Sequence, residues 1–353
     1  MRIAFLAPIK PPDHPIASGD RLIARNLIKA LEMAGHEVAL ASRFVAYSKR
    51  PDGLAERKSA ALAQVERIDM APPDLVLTYH PYCKAPDWIG PRLADRYGVP
   101  YVTVEAARTS ADPDAWAAWR AEAQEAMRRA DLHVWLKPTD RAMLRDLLGP
   151  GAPMAHLSPF IDVDAIDAVD GADAPGPLPR ILVVGQMRPG KKARNHLLAA
   201  EALRGLHVPH ETLVLGDGPA RDGIAAAYGP DARLGGAVDH AAVIRAMRGA
   251  DVFLWPGWRE PIGMVYLEAA ACSLPVVASC DMGVPLVVTD GETGLLAPPE
   301  DAGALRRHLA TLLRDKPARE RLGHGGRSRV VSEHSLDAAS RTLHAALLSL
   351  RGL

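Results

Sequence analysis

Two glutamates, Glu260 and Glu268, stand with seven residues between them in the segment WPGWREPIGMVYLEAAACSLPVVA, residues 255–278. Pro261, Ile262 and Gly263 interrupt helix formation between them, and the chain from Gly263 onward reads as a helix start. A glycine at that point lets a ligand come close to the backbone. The unpaired amides of a first helical turn, together with the helix dipole, make an anion site. Glu260 then belongs to the preceding loop, and Glu268 lies on the helix about one turn further along. Around a bound diphosphate, each carboxylate could take hydroxyls on its own side. The plainer alternative is that Glu260 caps the helix and Glu268 is a solvated charge; the spacing alone does not choose between them.

A second segment, VVGQMRPGKKARNHLL at residues 183–198, ends a strand at Gly185 and carries Arg188, Lys191 and Lys192 on a glycine-containing loop before a helix. Cations at the carboxyl end of a strand suit phosphate, although a solvated basic turn has the same composition. LVLGDGP at residues 213–219 is a strand entering a tight Asp-Gly turn. Ser18-Gly19 opens the helix after the first strand, where Ser18 could cap or Gly19 could meet an anion. Glu105 and His80 each follow a strand, so either could meet a hydroxyl. Glu105 could equally be a loop residue paired with Arg108, and a lone histidine is more often structural.

These segments together resemble family four of the retaining glycosyltransferases (glycosyl transferases group 1), a family with the two-domain GT-B fold. The resemblance rests on E-P-x-G-x-x-x-x-E-A followed by P-V-V-A, on G-D-G-P at residues 216–219, on D-G-x-T-G-L-L at residues 290–296 and on G-H-E-V at residues 35–38. It implies that Glu260 contacts the donor sugar and Glu268 the nucleotide ribose. The backbone of Pro261, Ile262, Gly263, Met264 and Val265 would approach sugar and diphosphate. Lys192 and Arg188 would hold the diphosphate, Val238 in LGGAVD would meet the base, and Gly19 would face the donor phosphate. The chain departs from the family at several places. Gln186 stands at the usual arginine, Ala193 at the glycine after lysine, and Leu286 at a common glutamate. Glu105 stands where many relatives have a histidine, and is the catalytic candidate there.

The elements that must position these residues are legible as alternating strands and helices. Apolar runs at residues 2–7, 38–41, 75–78, 101–104, 134–136 and 154–157 read as strands of a first half, and those at 180–184, 212–215, 252–255 and 275–278 as strands of a second. Intervening helical patterns, including residues 18–34 and 88–97, predict α/β architecture with parallel sheets and right-handed crossovers. With 353 residues and 48% hydrophobic content, each half can bury a core. We therefore expect two Rossmann-like domains facing an interdomain cleft. The first covers residues 1–164, with the C-terminal helix of about 336–353 packed back on it. A linker covers 165–179, and the nucleotide-sugar domain covers 180–335.

Composition excludes several other classes. Lys plus Arg equals Asp plus Glu at 42 each, which argues against a broad nucleic-acid footprint. Cys83, Cys272 and Cys280 form neither a disulfide framework nor a zinc site. No G-x-G-x-x-G follows a strand, so a dinucleotide dehydrogenase is poorly supported. No apolar stretch reaches the ~20 residues of a membrane span.

The resulting expectation is a cytoplasmic enzyme that moves a hexose from a UDP-, GDP- or ADP-sugar to a saccharide, lipid or small-molecule acceptor. It would work without metal or other cofactor. The polar segment at residues 43–58 and the helix of Trp116 and Trp119 would meet the acceptor, and a peripheral membrane contact stays open there. The alternatives are a sugar-nucleotide-binding protein without turnover and a nucleotide-sugar epimerase on the same fold.

Overall fold

Strands rich in Val, Leu and Ile, apolar on both faces, can only be buried in a sheet covered on both sides, and parallel crossovers supply that cover. The computed structural model describes residues 1–16, 18–107 and 114–352, so Arg108 lies outside the described residues. The chain divides into two units, Met1–Ser158 with Leu336–Leu353, and Pro159–Ser335.

The first unit runs β1 (Arg2–Leu6), α1 (Gly19–Met33), β2 (Glu37–Leu40), α2 (Leu54–Val65), β3 (Leu75–Tyr79), α3 (Gly90–Tyr97), β4 (Tyr101–Val104), α4 (Ala117–Arg128), β5 (Leu132–Trp135), α5 (Pro138–Leu148) and β6 (Met154–His156). The second runs α6 (Val163–Asp167), β7 (Arg180–Val184), α7 (Lys191–Leu203), β8 (Glu211–Leu215), α8 (Arg221–Tyr228), β9 (Ala232–Gly236), α9 (His240–Arg248) and β10 (Val252–Leu254). It continues through α10 (Met264–Ala271), β11 (Val276–Ser279), α11 (Val284–Val287), β12 (Gly294–Ala297), α12 (Ala302–Arg314) and α13 (Lys316–Glu333). The final helix, α14 (Leu336–Leu348), returns to the first unit.

Both six-stranded sheets are parallel, in the orders β2-β1-β3-β4-β5-β6 and β12-β11-β10-β7-β8-β9. In the second sheet the chain starts in the middle, winds outward through β8 and β9, then returns to β10 on the other side of β7. Ligands of such folds bind outside the strands' carboxyl ends where the winding direction reverses. Those points are β1/β3 in the first unit and β7/β10 in the second.

Three expectations need correction. Part of the stretch read as a linker is helix α6, whose N-cap Asp162 accepts from the Ala165 amide at 3.0 Å. Arg248 of α9 donates to the carbonyls of Ile166, Val169 and Gly171, and Arg327 of α13 pairs with Asp167 at 2.6 Å. The stretch is thus fastened to the second unit, which begins at Pro159. Trp116 and Trp119, expected toward an acceptor, are only 5% and 1% exposed; in the first unit's core Trp119 packs at an angle on Trp88 and meets Trp116 edge-on. Their rings are too well buried to present a binding face. Residues 234–236, expected in a base-recognition loop, are the end of edge strand β9, which leaves Ala237 to Asp239 as the loop.

Helix α14 packs on α1, and Leu343 and Leu347 of α14 and Leu27 and Leu31 of α1 are all buried. Beside them, His344 Nδ1 lies 3.2 Å from His36 Nε2. Among the described residues no helix is long and apolar enough to cross a membrane.

Candidate active site

At the β7/β10 reversal, the loop after β10 carries Trp255 to Gly263 and the loop after β7 leads into α7. Lys192, in the first turn of α7, places its ammonium 2.7 Å from Glu260 Oε2 and 5.4 Å from the centre of the Trp255 ring. The Trp255 indole N–H lies 3.4 Å from the same carboxylate oxygen. Glu260 therefore faces the carboxyl ends of the strands and does not cap α10, whose N-cap Gly263 has no side-chain partner. Gly263 is left-handed at φ +79°, and a Cβ there would lie 2.4 Å from the buried Tyr266 ring. Only glycine fits both constraints. The Tyr266 hydroxyl in turn donates to the Trp255 carbonyl at 2.9 Å, tying helix start to strand end.

The Glu260 loop is pinned along its length. Asn195 of α7 donates to the Trp258 carbonyl at 3.0 Å and accepts from its amide at 2.7 Å. The Arg259 amide donates to Asp281 Oδ2 at 2.7 Å, and the Gly283 amide donates to the Glu260 carbonyl at 3.1 Å. Sequence reasoning missed Asn195 and Asp281. Asn195 lies three residues beyond Lys192, on the same helix face, which is the one signal that could have raised it. We expect Asn195→Ala to leave the Trp258 amide and carbonyl without these partners. The loss should be about 1–3 kcal/mol of stability and roughly tenfold in kcat, read by thermal unfolding and initial rates. An unchanged kcat would show that the loop holds its shape without the clamp.

Glu268, on the next turn of α10, is largely shielded, and its Oε1 lies 3.0 Å from His240 Nε2. It is not a free solvated charge. His240 opens α9 just after Asp239, which caps that helix by accepting from the Ala242 amide at 2.7 Å. The hydrogen bond to Glu268 raises the His240 pKa above its ordinary 6.5, with Glu268 and Asp239 charges adding to it. Val238, two residues earlier, is exposed beside this pair in sequence. Arg188 is exposed, and its guanidinium has no partner among the described residues. Its carbonyl accepts from the Ala193 amide at 3.0 Å, which shapes the turn into α7.

In the first unit, Gly19 is the exposed first residue of α1, with Ser18 capping the Arg21 amide at 3.3 Å. At the β1/β3 reversal, His80 Nδ1 lies 3.2 Å from Asp20 Oδ1. Glu105, expected to meet a substrate hydroxyl, is instead enclosed at 3% exposure. It pairs with Lys137 at 2.5 Å, and Asp140 lies 3.2 Å from the same ammonium. Burial alone would raise the Glu105 carboxyl, but His80 and Lys137 outweigh it and hold the group below its usual range. Burial pushes Asp140 up to about 6. Two carboxylates sharing one buried cation explain the enclosure: Glu105 is a partner for Lys137 rather than a surface for ligands.

Residues 170–329 match the model of one known family, described as glycosyl transferases group 1. The matched region is that of a group 1 glycosyl transferase. Lys192, Val238, Glu260 and Glu268 all fall inside the matched region. The transferase is 24% identical to glycogen synthase of Mycobacterium tuberculosis, over 97% of this chain and 84% of that enzyme. Sucrose-phosphate synthase from Thermosynechococcus elongatus shares its fold, with a TM-score of 0.75 at 20% identity over 99% of each chain. HepE of Anabaena, solved in complex with UDP, superposes with a TM-score of 0.71 at 15% identity over 99% of this chain and 100% of that one. Its neighbours place the transferase in the two-unit GT-B class of α/β folds.

Proposed function

We propose that this transferase moves a hexose from a nucleotide-diphosphate sugar to an acceptor hydroxyl, with retention at the anomeric carbon and without a divalent metal. The observation that carries the reading is the Lys192–Glu260 pair at the β7/β10 reversal, beside the glycine-opened start of α10. Departure of the diphosphate develops negative charge on its oxygens and positive charge on the sugar ring. Lys192, Arg188 and the backbone of Pro261 to Val265 would meet the diphosphate, with the α10 dipole adding to them. Glu260 would hold donor-sugar hydroxyls, Glu268 the ribose, and the backbone at Val238 the base. In a same-face displacement the bond from C1 to phosphate oxygen breaks and the bond from C1 to the acceptor oxygen forms. The acceptor proton passes to the departing phosphate, so no protein base is required.

The test is nucleotide release from UDP-, GDP- and ADP-sugars, with and without acceptors, and NMR assignment of the product anomer. Release with the donor's anomeric configuration, unaffected by EDTA, is the expected result. An inverted product would overturn retention, and activity lost to EDTA and restored by magnesium would overturn the metal-free mechanism. Tight donor binding with no release under any condition would favour a sugar-nucleotide-binding protein.

His240 gives this reading a pH dependence. The imidazolium holds Glu268 in place, and its raised pKa keeps that charge at and somewhat above pH 6.5. Donor KM should therefore be lowest below that range and rise severalfold as pH increases through the raised value. His240→Ala should show the high KM throughout, with kcat little changed. A donor KM profile that is the same in both proteins would remove His240 from the site.

A further inference from the structure

At the β1/β3 reversal of the first sheet stands a histidine that the donor reading leaves unused. His80 follows β3 directly, in a left-handed conformation at φ +57° that L-residues seldom adopt. Such strain persists where the surroundings over-determine it. Here the His80 amide donates to the Val104 carbonyl at 2.8 Å, Pro81 follows, and the ring lies between Tyr79 and Tyr82 at 5.5 and 5.4 Å. Asp20, in the first turn of α1, fixes the ring's rotation through Nδ1. The Asp20 carboxyl is held below its ordinary value, first by this hydrogen bond, so it is an ionised acceptor. Nδ1 must then carry the proton. That leaves Nε2 as the ring's remaining hydrogen-bonding atom, and it has no partner among the described residues. The side chain is 19% exposed, whereas Glu105 and Lys137 behind it are enclosed, at 4% and 14%.

We infer that His80, oriented by Asp20, binds the attacking hydroxyl of a sugar or polyol acceptor through Nε2. The inference rests on the transferase reading and adds the group that receives the acceptor. The hydrogen bond at Nε2 fixes how the acceptor oxygen presents its lone pairs. The proton still leaves with the phosphate. Asp20 is a positioning residue, since it reaches the acceptor only through the imidazole.

Asparagine and glutamine separate the two ring nitrogens. The amide of His80→Asn reproduces the Nδ1 position and keeps the Asp20 contact, while that of His80→Gln reaches the Nε2 position. The experiment measures acceptor KM with glucose, maltose and myo-inositol as probes, and donor hydrolysis without acceptor. His80→Asn should raise acceptor KM about tenfold, the equivalent of one hydrogen bond, and His80→Gln should stay within about threefold of the parent. Asp20→Asn should fall between them, and donor KM should change less than about twofold in all three. The reverse order, with His80→Asn the better enzyme, would show a purely structural role and overturn the proposal. So would donor hydrolysis that is intact with no acceptor-dependent turnover on any probe. An unsubstituted chain that hydrolyses no nucleotide sugar would instead sink the transferase reading.

Discussion

Glu260→Ala is expected to lower kcat by about 10²–10³-fold, the usual scale for removing one group that stabilises a charged transition state. The substitution removes the carboxylate that lies 2.7 Å from the Lys192 ammonium and 3.4 Å from the Trp255 indole nitrogen. It leaves the loop's other fastenings, at Asn195, Asp281 and Gly283, in place. The thermal midpoint should therefore move little, because Lys192 is about one-third exposed and can be solvated once released. Glu260→Gln keeps the shape and removes the charge. It should resemble Glu260→Ala if the ion pair with Lys192 matters, and the parent if only hydroxyl binding does. Donor hydrolysis and transfer should fall together. A variant retaining more than about a third of the activity would show that Glu260 is peripheral to the chemistry.

The largest expected effect on stability belongs to a glycine. Gly216 adopts φ +137°, and a Cβ there would lie 1.9 Å from the Gly185 carbonyl oxygen. Gly218, at φ +151°, sits closely over the Met187 carbonyl, where a Cβ would lie 2.6 Å from the oxygen. Hydrogen bonds weave the two turns together, from the Gly185 amide to Leu215 at 3.0 Å and from the Met187 amide to Asp217 at 2.9 Å. The Asp-Gly turn is thus the bed on which the loop after β7 rests. Gly216→Ala adds a backbone clash to a disfavoured conformation and should lose about 3 kcal/mol or more in urea unfolding. Gly223→Ala is the contrasting control. It lies in α8, where an added methyl would meet nothing within 4 Å, so it should gain up to about 1 kcal/mol. Equal midpoints for the two variants would mean that the bed yields, and that the turn tolerates what its geometry forbids.

Much of this architecture was legible because a buried parallel strand has to be apolar along its whole length. RILVV, YVTV and LVL announce themselves, and the structure places strands on all of them. Edge strands do not have to be apolar throughout. ARLGG in β9 alternates between half-buried and exposed positions, and GLLA in β12 sits inside what reads as a turn. Neither stands out as a strand in the sequence. Helix α13 is a different case, since three glycines in LGHGG argue against a helix. Two of them are there because Cβ atoms at Gly323 and Gly325 would lie 2.1 and 2.2 Å from the Ser273 and Glu292 carbonyl oxygens. Close packing overrides propensity.

The same distinction runs through the site. Glu260 and Glu268 can be picked out because their spacing and the glycine between them are local. Lys192 is visible as a cation, but its partner lies 68 residues away, as Asn195 lies 63 residues from Trp258 and Asp20 lies 60 from His80. Only the β7/β10 and β1/β3 adjacencies bring these together, and no local pattern records which strands become neighbours.

The return of α14 to the first unit bears on how the chain is made. Helix α14 covers α1, so the half synthesised first is missing a wall until α14 leaves the ribosome. Residues 159–335 can close their own core before that moment. The nascent protein should thus complete its later-made half ahead of its earlier one. During that interval the uncovered face of α1 is the surface a chaperone would need to shield.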